Sequence, residues 1–370
     1  MSVPTARRNL LHRKGQMLLS VFGIAAALAL ILLLLGFRAG LYATLTAFVD
    51  NLGADLIVAQ SGVQGMFSSN SALPMALHQQ AARISGAQEA GHILMADIIF
   101  SWNETSTPVL LVGYDPHSVF GSPWKLGAGR NVQADDEIAL DAWLAQRAGI
   151  ALGDTISVLG RDFTVVGLTR ETSSWMSPYI FITLDAAEQT LGLTGLVSYH
   201  LLRLPPETDL PAVAADLEAA LPGVSVLTPE QIASADRRVL ANVMDSPINV
   251  MLVIGVIIGV AVTGLTAYTA VTDRKREYGV LKAIGADTRS LAGLVIQETL
   301  YRVALGFLLG SGLAYASAAL IMATWPQFNV LITPRDVLMA GALALGMSVL
   351  AALLPIQRIN QIDPVLVFKD

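Results

Sequence analysis

The chain contains no cysteine among its 370 residues, so no disulfide framework can support any part of it. A region held outside the cytoplasm must then be stabilised by its core alone, for which about 200 residues suffice. No Gly-Lys pair occurs anywhere. That removes the G-x-x-x-x-G-K-[ST] loop that cradles nucleotide phosphates, and with it ATP hydrolysis by this chain on its own. H-E-x-x-H and G-x-S-x-G are absent too, and His12, His78, His92, His117 and His200 are scattered without metal-ligand spacing. These gaps leave no catalytic residue, no metal set and no cofactor to assign to the chain.

Charge is scarce as well, at 14% of residues against 54% hydrophobic ones, and its scarcity is local. Residues 17–37, 246–272, 303–334 and 337–357 carry no charged side chain. Each can cross a bilayer core of roughly 30 Å, which takes about 20 helical residues. The third is longer than one span, so 303–323 is read as the helix. Residues 324–336, with Trp325-Pro326 and Thr333-Pro334, form the turn outside. The first stretch is expected to be a retained anchor rather than a cleaved signal peptide, because it is long and no clear small-residue cleavage site follows Phe37.

The charges that remain are unevenly shared. Residues 38–245 hold ten Lys/Arg against 22 Asp/Glu, while the two tails and the 273–302 connection together hold twelve against six. Lys and Arg concentrate in loops that stay in the cytoplasm. Both termini are therefore expected inside a bacterial inner (plasma) membrane, with 38–245 outside, and so acidic a face argues against nucleic acid as a partner. The expected fold is an integral membrane α-helical protein with four transmembrane helices and a mixed α+β extracytoplasmic domain between the first and second spans. Its parts are a tail 1–16, spans 17–37, 246–272, 303–323 and 337–357, the outer domain 38–245, an inner loop 273–302, an outer loop 324–336 and a tail 358–370.

Within the outer domain, alternation and turn residues predict strands at 55–60, 93–101, 107–114, 155–159, 162–168, 179–183, 199–204 and 224–227. Gly160-Arg161 is the expected turn of the 155–168 hairpin. Helices are expected at 75–84, 141–148 and 210–221, and from Pro229 onward as a continuous stalk into the second span.

The segment 272–286 carries the most information. Asp273 can cap a short helix whose Tyr278, Leu281 and Ile284 make an apolar stripe. Arg274, Lys275, Arg276 and Lys282 would then face water or lipid phosphate, and Gly285 would end the helix. Such a helix lies flat at the inner surface, although a positively charged loop that only fixes topology fits the residue types equally. The run R-K-R-E-Y-G-V-L-K-A-I-G-A resembles the signature loop of the FtsX/MacB-type permeases, the membrane subunits of a class of ABC transporters. Supporting likenesses are the hairpin 152–167, the tail Pro355-Ile356-Gln357-Arg358-Ile359 and the triplet Ile362-Asp363-Pro364. Segments 6–10 and 53–58 look closest to the DevC and HrtB branch, which handles heterocyst glycolipid and haem.

The resemblance implies a homodimer working with a dimeric cytoplasmic ATPase that holds the ATP and Mg, and allows a periplasmic adaptor protein. It also implies a hydrophobic or amphipathic cargo or, as in FtsX, mechanical control of a cell-wall hydrolase with no cargo at all. Arg276, Glu277, Tyr278, Gly279, Leu281, Lys282, Ile284 and Gly285 would form the ATPase-coupling element.

Three further groups of residues stand out in the spans. Gly255/Gly259 and Gly306/Gly310 are small-xxx-small pairs suited to a dimer or bundle contact. Glu298 and Arg302 are spaced for a helix ion pair. Phe37, Tyr42, Met244, Met251 and Trp325 are placed near the outer surface, where they could line a lipophilic route or act as interfacial anchors.

The charge split makes a direct prediction about topology. A reporter inserted at 286–289 or fused after Asp370 reads as cytoplasmic, and one at 103–105 or 325–330 as external. An external C-terminus would overturn the arrangement.

Overall fold

The computed structural model describes residues 14–360, apart from 68–69, 104, 175–176, 285 and 326–327. It divides into two compact units, Met1–Gly40 with Met244–Asp370, and Leu41–Val243. The first helix, α1 (Lys14–Asp50), contributes to both units, and its 37 residues run well past Phe37. At 1.5 Å per residue it is about 55 Å long, more than a bilayer core requires.

The Leu41–Val243 unit then proceeds through β1 (Leu56–Gln60), β2 (Leu73–Pro74), α2 (Leu77–Ser85), β3 (Glu89–Trp102), β4 (Thr105–Tyr114), β5 (Leu126–Gly129), β6 (Glu137–Asp141) and α3 (Ala142–Ala148). It continues with β7 (Thr155–Val158), β8 (Arg161–Thr169), β9 (Ser173–Ser174), β10 (Ser177–Thr183), α4 (Leu184–Leu191), β11 (Leu196–Val197), β12 (Tyr199–Arg203), α5 (Leu210–Ala220) and β13 (Val224–Leu227).

The described strands form one mixed sheet in the order β13-β1-β12-β3-β4-β10-β6-β8-β5, with β7 on β8, β9 on β10, and a separate β11-β2 pair. Most neighbours are antiparallel, but β10 runs parallel to β4, and β6 to β8. Period-two alternation puts the two sets of side chains on opposite faces. Leu56, Val58, Ile180 and Ile182 join Ala81, Leu144, Ala186 and Leu217 from the four short helices. Ile57, Ala59, Tyr179 and Phe181 join Phe48 and Val49 of α1 on the other face. At the β7–β8 turn the left-handed residues are Leu159 (φ 51°) and Gly160 (φ 84°), one position earlier than expected, as a two-residue hairpin with φ > 0 at both sites demands. The strands β5 and β6 and the helix α4 had no place in the sequence reading.

The other unit is built from α6 (Pro229–Asp273), α7 (Lys275–Ala283), α8 (Thr288–Thr324) and α9 (Pro334–Asn360) together with α1. Its four long helices are apolar enough to cross a membrane. Continuity from Pro229 into the second span holds, with Pro247 accommodated inside α6. Ile24, Leu28, Ile31 and Leu32 of α1 are fully buried. They pack with Val303 and Ala314 of α8, Ala340, Ala344 and Met347 of α9, and the partly buried Leu252 and Val256 of α6. Ile257, Leu308, Leu320 and Val349 point outward and are exposed, the pattern of a bundle whose solvent is lipid.

Two glycines of α1 let a loop lie against it. The Leu331 N–H donates to the Gly36 carbonyl at 2.9 Å, and a Cβ at Gly40 would overlap the Asn329 carbonyl oxygen. Gly40→Ala is therefore expected to destabilise the chain by about 1–3 kcal/mol, as overpacking does. Gly346→Ala, where no heavy atom lies within 4 Å of the added Cβ, should be neutral or gain up to about 1 kcal/mol of helix propensity. Melting curves of the detergent-purified variants check the contrast.

Candidate functional site

The segment between the second and third long helices folds into a distinct element. α6 ends at Asp273, and Arg274, with φ −106° and ψ 17°, breaks the helix before α7 starts. Asp273 therefore terminates α6 instead of capping α7. Tyr278 and Gly279 are buried, and Tyr278 packs with Val271, Leu291 and Val295. Val280, Leu281 and Ile284 are exposed, Ile284 at 76%. The expected single stripe is thus divided. Each step of three residues lags a full turn by about 60°, so Ile284 lies roughly 120° around the helix from Tyr278. One face holds α7 to its neighbours, and the other presents apolar side chains outward. Arg276 and Glu277 are exposed, Lys282 is half-buried, and Gly285 lies outside the described residues.

Arg274 does not face water as expected. Its guanidinium donates from Nη1 to Glu298 Oε1 at 2.9 Å, and Arg302 Nη2 meets Glu298 Oε2 at 3.5 Å. Glu298 keeps only 5% of its side chain exposed. The helix pair read from spacing is therefore two-thirds of a triad, and its third member comes from the break before α7. Burial pushes the Tyr278 hydroxyl up to about 12, with the Glu298 carboxylate acting in the same direction. Tyr278 stays neutral and serves as a packing anchor.

The span glycines are bundle contacts within the chain. A Cβ at Gly306 would press on Ile24 and one at Gly310 on Ala25 and Leu28. At Gly255 it would meet Ile31, and at Gly259 Met347 and Ala27. The five surface residues differ in their surroundings. Phe37 packs on Phe328 with ring centroids 6.2 Å apart, Met251 and Trp325 are each about half exposed, and Tyr42 and Met244 are half-buried.

A cavity of about 90 Å³ lies in the Leu41–Val243 unit, lined by Leu45, Phe48, Met66, Met95, Tyr179 and Asp236 among others, and by none of those five. Phe48 stacks on Tyr179 at 5.3 Å and meets Trp124 edge-on at 6.0 Å. Asp236 accepts hydrogen bonds from the backbone N–H groups of Met66 and Phe67 at 3.0 and 3.1 Å, which ties α6 to the loop after β1. Sequence reasoning missed this site, whose residues are dispersed over nearly 200 positions. It also took the histidines as scattered. His78, His92 and His200 in fact converge, with one ring nitrogen from each within 4.8 Å of the others.

A helical membrane protein carrying an α+β unit between its first two spans is the class these elements define. Residues 17–220 match the MacB-like periplasmic core domain, and residues 249–364 the FtsX-like permease C-terminal domain. The chain belongs to the FtsX/MacB family of ABC transporter permeases, and the family carries with it an extracytoplasmic segment and a cytoplasmic ATPase partner. An ABC transporter permease of Mycobacterium tuberculosis (strain H37Rv) is 26% identical over 366 residues, 98% of each chain. Another from Methanocaldococcus jannaschii is 23% identical over 201 residues, half of each. Among solved structures, the extracellular domain of the ABC-type transporter YknZ from Gram-positive bacteria aligns with 11% identity and a TM-score of 0.37, covering 47% of this chain and all of that one. The periplasmic region of MacB from Actinobacillus actinomycetemcomitans gives 15% identity and a TM-score of 0.39, covering 50% of this chain and 94% of that one.

The triad generates a stability prediction. Glu298→Ala removes the carboxylate that Arg274 and Arg302 share, and breaking a buried ion pair in this way costs about 3–5 kcal/mol. A clear fall in the melting temperature of the purified chain is the expected result. An unchanged melting curve would mean that the triad is solvated.

Proposed function

We propose that the chain exports or extracts a hydrophobic or amphipathic substrate, coupled to a separate ATPase that docks on α7. The observation that carries this reading is the exposed Val280, Leu281 and Ile284 face on a helix whose opposite face is anchored by Tyr278 and flanked by the Arg274–Glu298–Arg302 triad. A helix so anchored can pass a displacement to α6 and α8 without turning in place. ATP and Mg are held by the partner, a dimer matching a homodimer of this chain, and both termini and α7 lie on the cytoplasmic side, in keeping with the charge split. Haem, a lipid, a glycolipid, a lipoprotein or a drug all fit the cargo class, and a periplasmic adaptor protein fits the family.

A second reading is an FtsX-like mechanotransmitter acting on an extracytoplasmic cell-wall hydrolase. It is favoured by the way α1 and α6 enter the α+β unit. Phe48 and Val49 of α1 and Ile232 of α6 belong to one buried cluster, so movement of either helix acts directly on that core. The two readings separate on the purified complex. ATPase stimulation by a lipophilic cargo supports transport, whereas stimulation only by a soluble hydrolase supports transmission.

The docking face can be tested in either case. Leu281→Asp puts a carboxylate where an apolar contact is expected, and an unpaired desolvated charge costs several kcal/mol. At about 1.4 kcal/mol per factor of ten, ATPase capture should fall by two orders of magnitude or more. Lys275→Gln, at an exposed site, should change it less than about fivefold, since a solvated charge contributes at most about 1 kcal/mol. The measurement is co-purification of the ATPase at matched membrane levels. Full assembly with Leu281→Asp would reduce the loop to a determinant of topology.

A further inference from the structure

We propose that His78, His92 and His200 form a binding site for a first-row transition-metal ion, Zn²⁺ above all, in the α+β unit. Three elements deliver the ligands. His92 on β3 and His200 on β12 are direct cross-strand partners, so their rings share one face of the sheet. His78 comes from the first turn of α2, with its ring centroid 4.8 Å from that of His92 and 5.9 Å from that of His200. Helix and strand positions hold ligand atoms more firmly than a loop does.

Hydrogen bonding leaves one nitrogen of each ring open. Nδ1 of each of the three rings is buried and has no hydrogen-bond partner among the described residues. Buried polar atoms left unsatisfied on three adjoining rings are costly, and one ring nitrogen from each lies near enough to the others for the rings to share a cation. At His200 the tautomer follows from geometry. Nε2 lies 3.2 Å from the Pro74 carbonyl oxygen, which can only accept, so Nε2 carries the proton and Nδ1 presents its lone pair. A histidine that donates its other N–H to a backbone carbonyl is the usual outer shell of a metal ligand.

Electrostatics favour the same occupant. Burial lowers the pKa of His78 and His92, and it takes His200 to about 4 with the two neighbouring rings acting in the same sense. The charges of Asp115 and Asp185 reach His92 and favour a cation nearby. An all-imidazole set suits Zn²⁺, Cu²⁺ or Ni²⁺ better than Mg²⁺ or Ca²⁺.

Zn–N bonds of 2.0–2.1 Å in tetrahedral geometry put ligand nitrogens about 3.3 Å apart. The rings must then draw together from separations of up to 4.8 Å. His78 and His92 are half-buried and give the ion a way in, while His200 forms the closed floor. Three ligands leave a fourth position for water, and the ion would pin α2 to β3 and β12.

The test uses the full chain in detergent, carrying no histidine tag and stripped with EDTA. Zn²⁺ is then titrated against a zinc-responsive dye, with metal content read by mass spectrometry and melting curves recorded with and without ZnCl₂. One ion per chain is expected. At metal 100-fold above Kd, the unfolding constant should fall by about 100-fold. His78→Ala and His92→Ala, both at half-buried positions, should each weaken binding at least tenfold, while exposed His117→Ala leaves it unchanged. If either cluster variant fails to fold, Cu²⁺ bound to the unaltered chain decides by its electron paramagnetic resonance. Hyperfine structure from three imidazole nitrogens supports the site, and an oxygen-ligated spectrum overturns it. No Zn²⁺ uptake, or uptake at full affinity in the folded His78 and His92 variants, also overturns it.

Discussion

In a bilayer the backbone has no hydrogen-bond partner but itself, and the rest of this structure depends on that constraint. It forces the apolar stretches into unbroken helices, and α1 (37 residues) and α6 (45 residues) run on past those stretches, each contributing to both units. A helix cannot shorten or fold back inside lipid, so whatever moves one end must translate or tilt the whole. Coupling across such a protein then becomes a question of where each helix is gripped.

Two kinds of grip are visible, and they differ in chemistry because their surroundings differ. In the α+β unit the grip is apolar. Phe48 stacks on Tyr179, Ile232 joins the same cluster, and Asp236 adds hydrogen bonds to the backbone of Met66 and Phe67. Beside α7 the grip is ionic, with Glu298 holding Arg274 and Arg302. An ion triad is a weak source of stability, since desolvation offsets much of its attraction. It is nevertheless strict about geometry, because no apolar neighbour can substitute for the missing carboxylate. Where α6 stops and α7 turns, the Glu298 carboxylate bonds Arg274 and so fixes the break against α8.

Much of this was legible in the sequence. Long charge-free runs report spans because the bilayer sets both their length and their composition, and strands such as Leu56–Gln60 and Tyr199–Arg203 announce themselves by local alternation. The exposed β5 (Leu126–Gly129), half of it glycine, carries no such pattern. The parallel pairing of β10 with β4 joins segments about seventy residues apart, and nothing local records it.

The division between the two levels follows the range of the forces. Periodicity, capping and the cost of charge in lipid act within a few residues, so the sequence by itself determined the four spans, the α+β unit between the first two, and the helix after Asp273. Three features depend on which side chains meet after the chain has doubled back, and only the tertiary structure decided them. Arg274 turned inward because Glu298 lay within reach on α8. Leu281 and Ile284 were left outward because Tyr278 took the buried face. His78, His92 and His200, separated by up to 122 positions, became neighbours because β3 paired with β12 in one register and α2 packed beside them.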